Sequence, residues 1–225
     1  MIKAIVTDIE GTTTSISFVA DVLFPYARSR MAEFIAQYQQ QPAVAKEIAA
    51  VRAEIGNPNA SLQEVADTLV SWIDQDLKIT PLKTLQGLIW QTGYESGELK
   101  GHLYPEVAAC LTHWKNQGIH LNVYSSGSEA AQQLLFRFSE AGDLSGLFDN
   151  FFDTRIGAKR DKASYHSIQQ QLGFGADEIL FLSDIVEELD AAEAAGLNTL
   201  ALNRDHKAHN LGEHTQISSF DEITL

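Results

Sequence analysis

Short apolar runs bounded by turn residues recur along the chain and predict the strands of a buried parallel sheet. These runs cover residues 2–8, 119–127, 150–154, 178–184 and 197–203. Between the later runs, apolar positions at helical spacing cover residues 104–118, 128–142, 162–173 and 186–196. Several of these helical segments stop on a glycine, a common helix terminus. The alternation predicts a doubly wound, Rossmann-like α/β fold with a parallel sheet.

A long insertion separates the first predicted strand from the second, and it is far longer than a simple crossover requires. Its apolar positions keep the three-and-four spacing of an amphipathic helix, and they include Leu62, Val65, Ala66, Leu69, Val70 and Ile73. Ser61 stands where a helix N-cap is expected. We therefore predict an all-helical subdomain, residues 17–101, inserted into an α/β core of residues 1–16 and 102–225. The tail is expected to add a last loop and a short strand.

Charge and composition limit the possible partners. The 225 residues include 16 lysines and arginines against 30 aspartates and glutamates, a formal net charge of -14. A nucleic-acid partner is not expected, because such proteins carry a basic surface. A small anionic substrate would need a site made locally positive by a metal, a lysine or helix N-termini.

The sequence also indicates the cellular compartment in which the protein is expected to act. A single cysteine, Cys110, excludes an intrachain disulfide framework and favours a reducing, cytoplasmic setting. It lies in an apolar helical segment and is interpreted as a packed thiol. Neither a signal peptide nor a membrane-spanning run is apparent, so no membrane partner is expected. The oligomeric state is left open, with a monomer as the working expectation.

Two acidic residues mark the end of the first predicted strand. Asp8 and Glu10 lie in the segment DIEGTT, before Gly11 and a run of threonines. Gly11 lets the backbone turn tightly beside a ligand, and the threonines add hydroxyl groups. One carboxylate could attack a substrate while the other exchanges a proton with the leaving oxygen. The alternative, that both acids only cap the following segment, stays open here.

Hydroxyl groups and cations follow in two later segments. Ser125 and Ser126, in YSSG, end a predicted strand where a helix begins, so they could bind an anion or simply cap the helix. Lys159, Arg160 and Lys162 form a cluster in a chain that is poor in cations. A lysine there could reach a phosphate, although most such clusters are solvated surface.

A further acidic pair closes another predicted strand. Asp184 ends the run LSD, and Glu188 lies one helical turn later on the same face, whereas Glu187 is interpreted as surface. In an open α/β sheet, ligands bind beyond the carboxyl ends of the strands. Asp8, Ser125 and Asp184 are therefore expected to meet, with the insertion as a lid. Asp8 and Asp184 would suit Mg²⁺. An acidic helix start is the simpler alternative for this pair.

The histidines give a weaker signal. His206, His209 and His214 cluster in the tail. Without a cysteine or a glutamate base beside them, a zinc site there is disfavoured.

Taken in order, the segments DIEGTT, YSSG, Lys159 and LSDIVEE resemble the haloacid dehalogenase superfamily over the whole chain. In that superfamily the lysine typically precedes an aromatic residue by six positions, which favours Lys159, with Tyr165, over Lys162. Most members have aspartate where this chain has Glu10. That departure resembles the enolase-phosphatase (acireductone synthase) branch, which acts in methionine salvage.

The resemblance implies a division of roles. Asp8 would attack phosphorus and form an aspartyl-phosphate, and Glu10 would protonate the leaving oxygen and then activate water. Ser125, Ser126 and Lys159 would bind the phosphate.

The resemblance also implies a cofactor and a substrate. Mg²⁺ would be held by Asp8, Asp184 and the Glu10 position through its backbone carbonyl, with Glu188 ordering the waters of the metal. The substrate would be a phosphorylated methylthio-diketone, first enolised and then dephosphorylated. The base for the enolase step is not indicated.

Three alternative functions remain open. A capped sugar-phosphate or phosphoglycolate-type phosphatase would share the motifs without the enolase step. A receiver module phosphorylated on a carboxylate is disfavoured, because receivers are short and lack a large insertion. A metal-free dehalogenase would have no use for the second acid at Glu10.

Overall fold

The computed structural model describes residues 1–204 and 211–225. Within them, six parallel strands form one sheet in the order β3-β2-β1-β4-β5-β6. The strands are β1 (Ala4–Thr7), β2 (His120–Tyr124), β3 (Phe148–Phe152), β4 (Ile179–Ser183), β5 (Asn198–Leu202) and β6 (Gln216–Ile217). This topology confirms the predicted α/β fold.

The central strands bury both faces, as their apolar runs predict. Every residue of β1 and β4 is buried, and each fully buried aliphatic side chain contributes about 1.5–3 kcal/mol. Thr7 of β1 lies opposite Val123 of β2 and Leu182 of β4. The residues that follow these three strands therefore leave the sheet at the same edge.

Residues Ser17–Leu99 form a compact unit, and Met1–Ile16 with Lys100–Leu225 form another. The helices of the first unit and its entry are α1 (Ile16–Phe18), a π-helical turn (Val19–Leu23), α2 (Phe24–Tyr38), α3 (Pro42–Glu54), α4 (Leu62–Asp74) and α5 (Thr80–Ser96). A capping box starts α4: the Ser61 Oγ accepts from the Glu64 amide, and the Glu64 carboxylate accepts from the Ser61 amide. Ser61 is thus the predicted N-cap.

The helical unit has its own apolar core. Side chains from all its long helices pack together, among them Met31, Ile48, Leu69, Leu85 and Ile89. None of the helices in the described ranges is long and apolar enough to cross a membrane.

The helices of the sheet-containing unit are α6 (Val107–Asn116), α7 (Glu129–Arg137), α8 (Lys162–Leu172) and α9 (Val186–Ala194). Short 3-10 turns cover Ser145–Leu147, Ala176–Glu178 and Phe220–Glu222. Gly173 ends α8 in the left-handed conformation, φ +72°, which glycine adopts without strain. Tyr165 of α8 packs edge-on against Phe181 of β4, with ring centroids 5.0 Å apart, and so ties the helix to the sheet.

Candidate active site

The chain leaves β1 in a tight turn, residues 8–14, named here the β1 loop. The Asp8 amide still donates to the Leu182 carbonyl of β4 at 2.9 Å. The Ile9 carbonyl then accepts from the amides of Thr12, Thr13 and Thr14 at 3.2, 2.9 and 2.9 Å. This network fixes the loop locally, and it holds the buried Asp8 carboxylate at the carboxyl edge of the sheet.

Lys159 lies between two carboxylates at this edge. Its Nζ is 2.7 Å from Asp8 Oδ1 and 2.6 Å from Glu188 Oε2, and its side chain is only 10% exposed. Burial alone would lower the pKa of Lys159, but the two carboxylates outweigh it, so the pKa lies above its ordinary value. Lys159 therefore remains a cation beside Asp8.

The backbone around Lys159 is fixed by hydrogen bonds from neighbouring side chains. The Tyr165 hydroxyl donates to the Lys159 carbonyl at 2.7 Å, and the Ser164 hydroxyl donates to the Ala158 carbonyl at 2.8 Å. The six-residue spacing between Lys159 and Tyr165 thus has a structural reason. Arg160 and Lys162 are exposed, so of the three clustered cations Lys159 alone contacts Asp8.

Glu188 contacts the same lysine. Besides the Lys159 ammonium, its carboxylate accepts from the Ser183 hydroxyl at 3.0 Å. Burial and the charge of Asp8 raise the pKa of Glu188. The expected role of Glu188 in ordering water at a metal stays a prediction, while its pairing with Lys159 is an additional contact that the resemblance did not imply.

Asp184 lies against the β1 loop. A Cβ built on Gly11, whose φ is +70°, would stand 2.1 Å from Asp184 Oδ2. Asp184 Oδ1 is buried and has no hydrogen-bond partner among the described residues. Burial and the nearby Asp8 charge raise the pKa of Asp184 to about 7. This carboxylate is therefore placed for a cationic partner that the protein itself does not provide.

These groups fit a divalent cation. Asp8 and Glu188 bring two buried carboxylates, and Asp184 a half-buried one, close to the ammonium of Lys159, and hard oxygen donors suit Mg²⁺. The described ranges contain no group of three or more His, Cys, Asp or Glu side chains arranged around a metal position. A cation beside Asp8 and Asp184 would thus complete its coordination with backbone, water or substrate oxygens.

Glu10 occupies the predicted position in the β1 loop. It is half-buried, and its backbone pairs with Thr14 across the turn. Metal binding through its carbonyl and proton transfer by its carboxylate both stay predictions.

The two predicted phosphate-binding serines follow β2, beside β1. The Ser125 amide donates to the Phe152 carbonyl at 3.1 Å, and its buried Oγ accepts from the Gly127 amide at 3.2 Å. The cap of α7 is Ser128, whose Oγ accepts from the Ala131 amide. The alternative in which Ser125 and Ser126 cap this helix is therefore wrong. Both serines lie in the preceding loop, with Ser126 exposed.

Two side chains that support these loops were not found by sequence reasoning. Gln132 donates to the carbonyls of Gly127 and Phe152 at 2.9 and 2.8 Å, and so fixes the loop that carries Ser125. Arg204 donates to the Thr12 carbonyl of the β1 loop. Neither residue belongs to a local motif, and only long-range packing reveals its contacts.

The remaining candidates have structural roles or lie outside the described residues. His206 and His209 fall in the undescribed range 205–210, while His214 hydrogen-bonds Thr199 at 2.9 Å and Asp190 at 3.0 Å. Burial raises the pKa of Cys110 to about 12, which agrees with a packed thiol rather than a nucleophile.

Gly11 offers a test of how closely Asp184 packs on the loop. Gly11→Ala is expected to lower the free energy of unfolding by about 1–2 kcal/mol for the left-handed backbone and about 1–3 kcal/mol more for the clash with Asp184. Gly56→Ala is the matched control, because its φ of +66° carries the same backbone strain with nothing within 4 Å. Urea denaturation measures both variants, and equal losses would contradict the contact.

Comparisons with known proteins indicate the same class of protein as the geometry of the site. A model of haloacid dehalogenase-like hydrolases matches residues 2–196. The curated enolase-phosphatase E1 of Pseudomonas syringae pv. tomato is 55% identical over 222 residues, 99% of this chain and 97% of that protein. Its counterpart in Erwinia tasmaniensis is 53% identical over 223 residues, again 99% and 97% of the two chains.

A solved structure extends the comparison to the fold. The crystal structure of the UTR4 protein of Saccharomyces cerevisiae matches with a TM-score of 0.83 at 29% identity, covering 99% of this chain and 100% of that one. Family model and near-full-length relatives agree, so the chain belongs to the haloacid dehalogenase-like hydrolases, in the group that contains the enolase-phosphatases.

Proposed function

We propose that this protein is an enolase-phosphatase (acireductone synthase). It enolises a phosphorylated methylthio-diketone and then hydrolyses the phosphate ester, giving the acireductone of methionine salvage. The observation that carries this function is the identity of 53–55% over nearly the whole chain with curated enolase-phosphatases E1. Lys159 beside the Asp8 carboxylate supports the phosphatase half. In this proposal the helical unit Ser17–Leu99 is the inserted cap.

The phosphatase half uses Asp8 as nucleophile. Its carboxylate attacks phosphorus, the bond to the ester oxygen breaks, and an aspartyl-phosphate forms. Lys159 lies 2.7 Å from Asp8 Oδ1, where its charge holds the attacking carboxylate in place and offsets the negative charge of the phosphoryl group. Ser125 and Ser126 donate to the phosphate oxygens from the loop after β2.

Mg²⁺ is the proposed cofactor. Asp8, Asp184 and the backbone carbonyl of Glu10 would hold it, which would give the buried, unpartnered Asp184 Oδ1 a cation to bind. When bound, Mg²⁺ neutralises charge on the phosphate oxygens and orients them for in-line attack.

Glu10 is the proposed proton carrier of the hydrolysis. Its carboxyl group protonates the ester oxygen as that oxygen leaves, and the resulting carboxylate then takes a proton from the water that attacks the aspartyl-phosphate. Glutamate extends about 1.5 Å further than aspartate. We propose that this reach also lets the group serve the enolase step, in which a proton is removed from carbon beside a carbonyl.

Direct assay of the diketone phosphate tests the function. Wild-type protein with Mg²⁺ is expected to convert the diketone absorbance to that of the enediol and to release one phosphate per substrate. A chelator is expected to abolish the release, and added Mg²⁺ to restore it. Phosphate release from simple esters without any change of the diketone would instead indicate a phosphatase lacking the enolase step.

Two variants of Glu10 separate its roles. Glu10→Gln is expected to lower kcat for the diketone phosphate by about 10²–10⁴-fold, because a general acid and base is lost. Glu10→Asp keeps a carboxyl group and is expected to hydrolyse p-nitrophenyl phosphate while losing most of the enolisation. Glu187→Gln, an exposed glutamate, is the control. Full enolisation by Glu10→Asp would contradict the proposed importance of reach.

A further inference from the structure

Arg204 reaches the β1 loop from the end of β5. Its Nε and Nη2 both donate to the Thr12 carbonyl, at 2.9 and 2.6 Å. This forked contact joins residues 192 positions apart in the chain. A planar guanidinium provides two parallel donors for one acceptor, which a lysine ammonium cannot reproduce in the same plane. The Thr12 carbonyl is therefore held directly by the Arg204 side chain.

The same guanidinium is anchored on its other side. Nη1 donates to the Glu106 carboxylate just before α6 and to the Ser218 carbonyl at 3.1 Å. Burial alone would raise the pKa of Glu106, but the hydrogen bond and charge of Arg204, together with backbone hydrogen bonds that include the Phe220 amide, hold that pKa below its ordinary value. Glu106 therefore stays charged and fixes the direction in which the arginine points.

Two aromatic rings complete the setting. The Arg204 Cζ lies 4.2 Å from the centroid of Tyr104 and 4.9 Å from that of Phe220. The side chain is only 5% exposed, a degree of burial that charged residues reach almost only when they are paired. A cation that is buried, stacked between two rings and hydrogen-bonded on both sides has few alternative positions.

The contacts of Arg204 lead to the catalytic groups through the β1 loop. Thr12 and Glu10 lie two residues apart in that loop, and the amides of Thr12, Thr13 and Thr14 share the Ile9 carbonyl directly after Asp8. A shift of the Thr12 carbonyl would therefore move the whole turn. Arg204 and Phe220 lie beyond residues 2–196, the range that the family model matches, so this support is separate from the motifs of the family.

We propose that Arg204 is a positioning residue for catalysis, which sets the β1 loop so that Asp8 and Glu10 face the phosphoryl group together. The inference rests on the proposed function for its catalytic consequence, but not for the loop contact itself. Glu106, Tyr104, Phe220 and the Ser218 carbonyl serve to hold the guanidinium in place. Arg204 itself touches no reacting atom.

The test uses the whole protein with Arg204→Ala and Arg204→Lys. Amide hydrogen exchange of the metal-free protein is expected to be faster in residues 9–14 of both variants, while the strands away from the loop are unchanged. With Mg²⁺, kcat for p-nitrophenyl phosphate and for the diketone phosphate is expected to fall by about 10²-fold, the cost of a small misplacement of catalytic groups. KM should change by less than about threefold, because the phosphate-binding groups remain.

Chemical rescue distinguishes positioning from general loss of stability. Millimolar guanidinium chloride is expected to restore part of kcat in Arg204→Ala, since the ion can enter the space between Tyr104 and Phe220, whereas sodium chloride should not. Ile168→Val, a trimmed core residue in α8, provides a destabilised control with unchanged kcat per folded protein. Arg28→Met removes another paired arginine, from the Asp74 ion pair, and should leave kcat unchanged.

The outcomes separate the two proposals. Faster exchange in the loop with a rescued loss of kcat supports the role of Arg204. Unchanged exchange, or a loss of kcat that parallels the Ile168→Val control, overturns it. If the wild-type protein hydrolyses p-nitrophenyl phosphate but does not convert the diketone, the proposed enolase function is contradicted. The role of Arg204 can still be tested in that case, by comparing kcat of its variants on p-nitrophenyl phosphate.

Discussion

Asp8→Asn is expected to lower kcat for phosphate esters by at least about 10⁴-fold, because the proposed nucleophile and one proposed cation ligand are lost together. The amide is close in size to the carboxylate, so the variant should fold. The Lys159 ammonium would then lose one of its two carboxylate partners but keep Glu188, at 2.6 Å. Steady-state assays with p-nitrophenyl phosphate and with the diketone phosphate measure the loss.

Asp177→Asn is the matched control for this substitution. Asp177 is exposed and lies before the amino end of β4, at the opposite edge of the sheet from Asp8. Its kcat should equal that of the wild type. Turnover by Asp8→Asn within tenfold of the wild type would mean that another group attacks phosphorus, and the assignment of Asp8 would be wrong.

Lys159→Met is expected to lower kcat/KM by about 10²–10³-fold, the usual cost of removing one preorganised electrostatic group. The substitution leaves Asp8 and Glu188 buried beside each other without their shared cation. Breaking a buried ion pair from one side is also destabilising. We therefore expect a lower melting temperature as well as lower activity, and a partial recovery of both in Lys159→Arg.

Lys162→Met serves as the matched control for Lys159. It lies three residues away on the same segment, is exposed, and makes none of the contacts with Asp8. Activity and melting temperature should be unchanged. If both lysine variants lost activity equally, the loss would reflect the local positive charge rather than the contact with Asp8.

The fold could be predicted because burial leaves a direct trace in the sequence. The strands β1 and β4 are apolar throughout and buried on both faces, so they stand out as continuous apolar runs. The predicted second strand, 119–127, was longer than β2, His120–Tyr124. The chain leaves the sheet at Ser125, whose amide still donates to the Phe152 carbonyl. The pattern of apolar residues does not show at which residue the strand pairing ends.

The candidate site could be predicted only in part. Asp8, Ser125 and Asp184 follow adjacent strands, so topology brings them to one edge. The ion pair of Glu188 with Lys159 joins two segments whose alignment depends on tertiary packing. Arg204 leaves no local signal at all, because its acceptors come from residues 12, 106 and 218. Motif spacing identifies the groups proposed to react, whereas the side chains that hold them in position are revealed only by contacts between residues far apart in the chain.

Trapping of the covalent intermediate tests the central claim, that Asp8 is the nucleophile. Glu10→Gln with radioactively labelled p-nitrophenyl phosphate is suited to this, because the ester has a good leaving group while the activation of water is impaired. Acid quenching followed by trypsin should place the label on the peptide of residues 4–28, as an acyl phosphate on Asp8 that hydroxylamine removes. Label on any other residue, or turnover with no labelled protein at any quench time, would contradict the account.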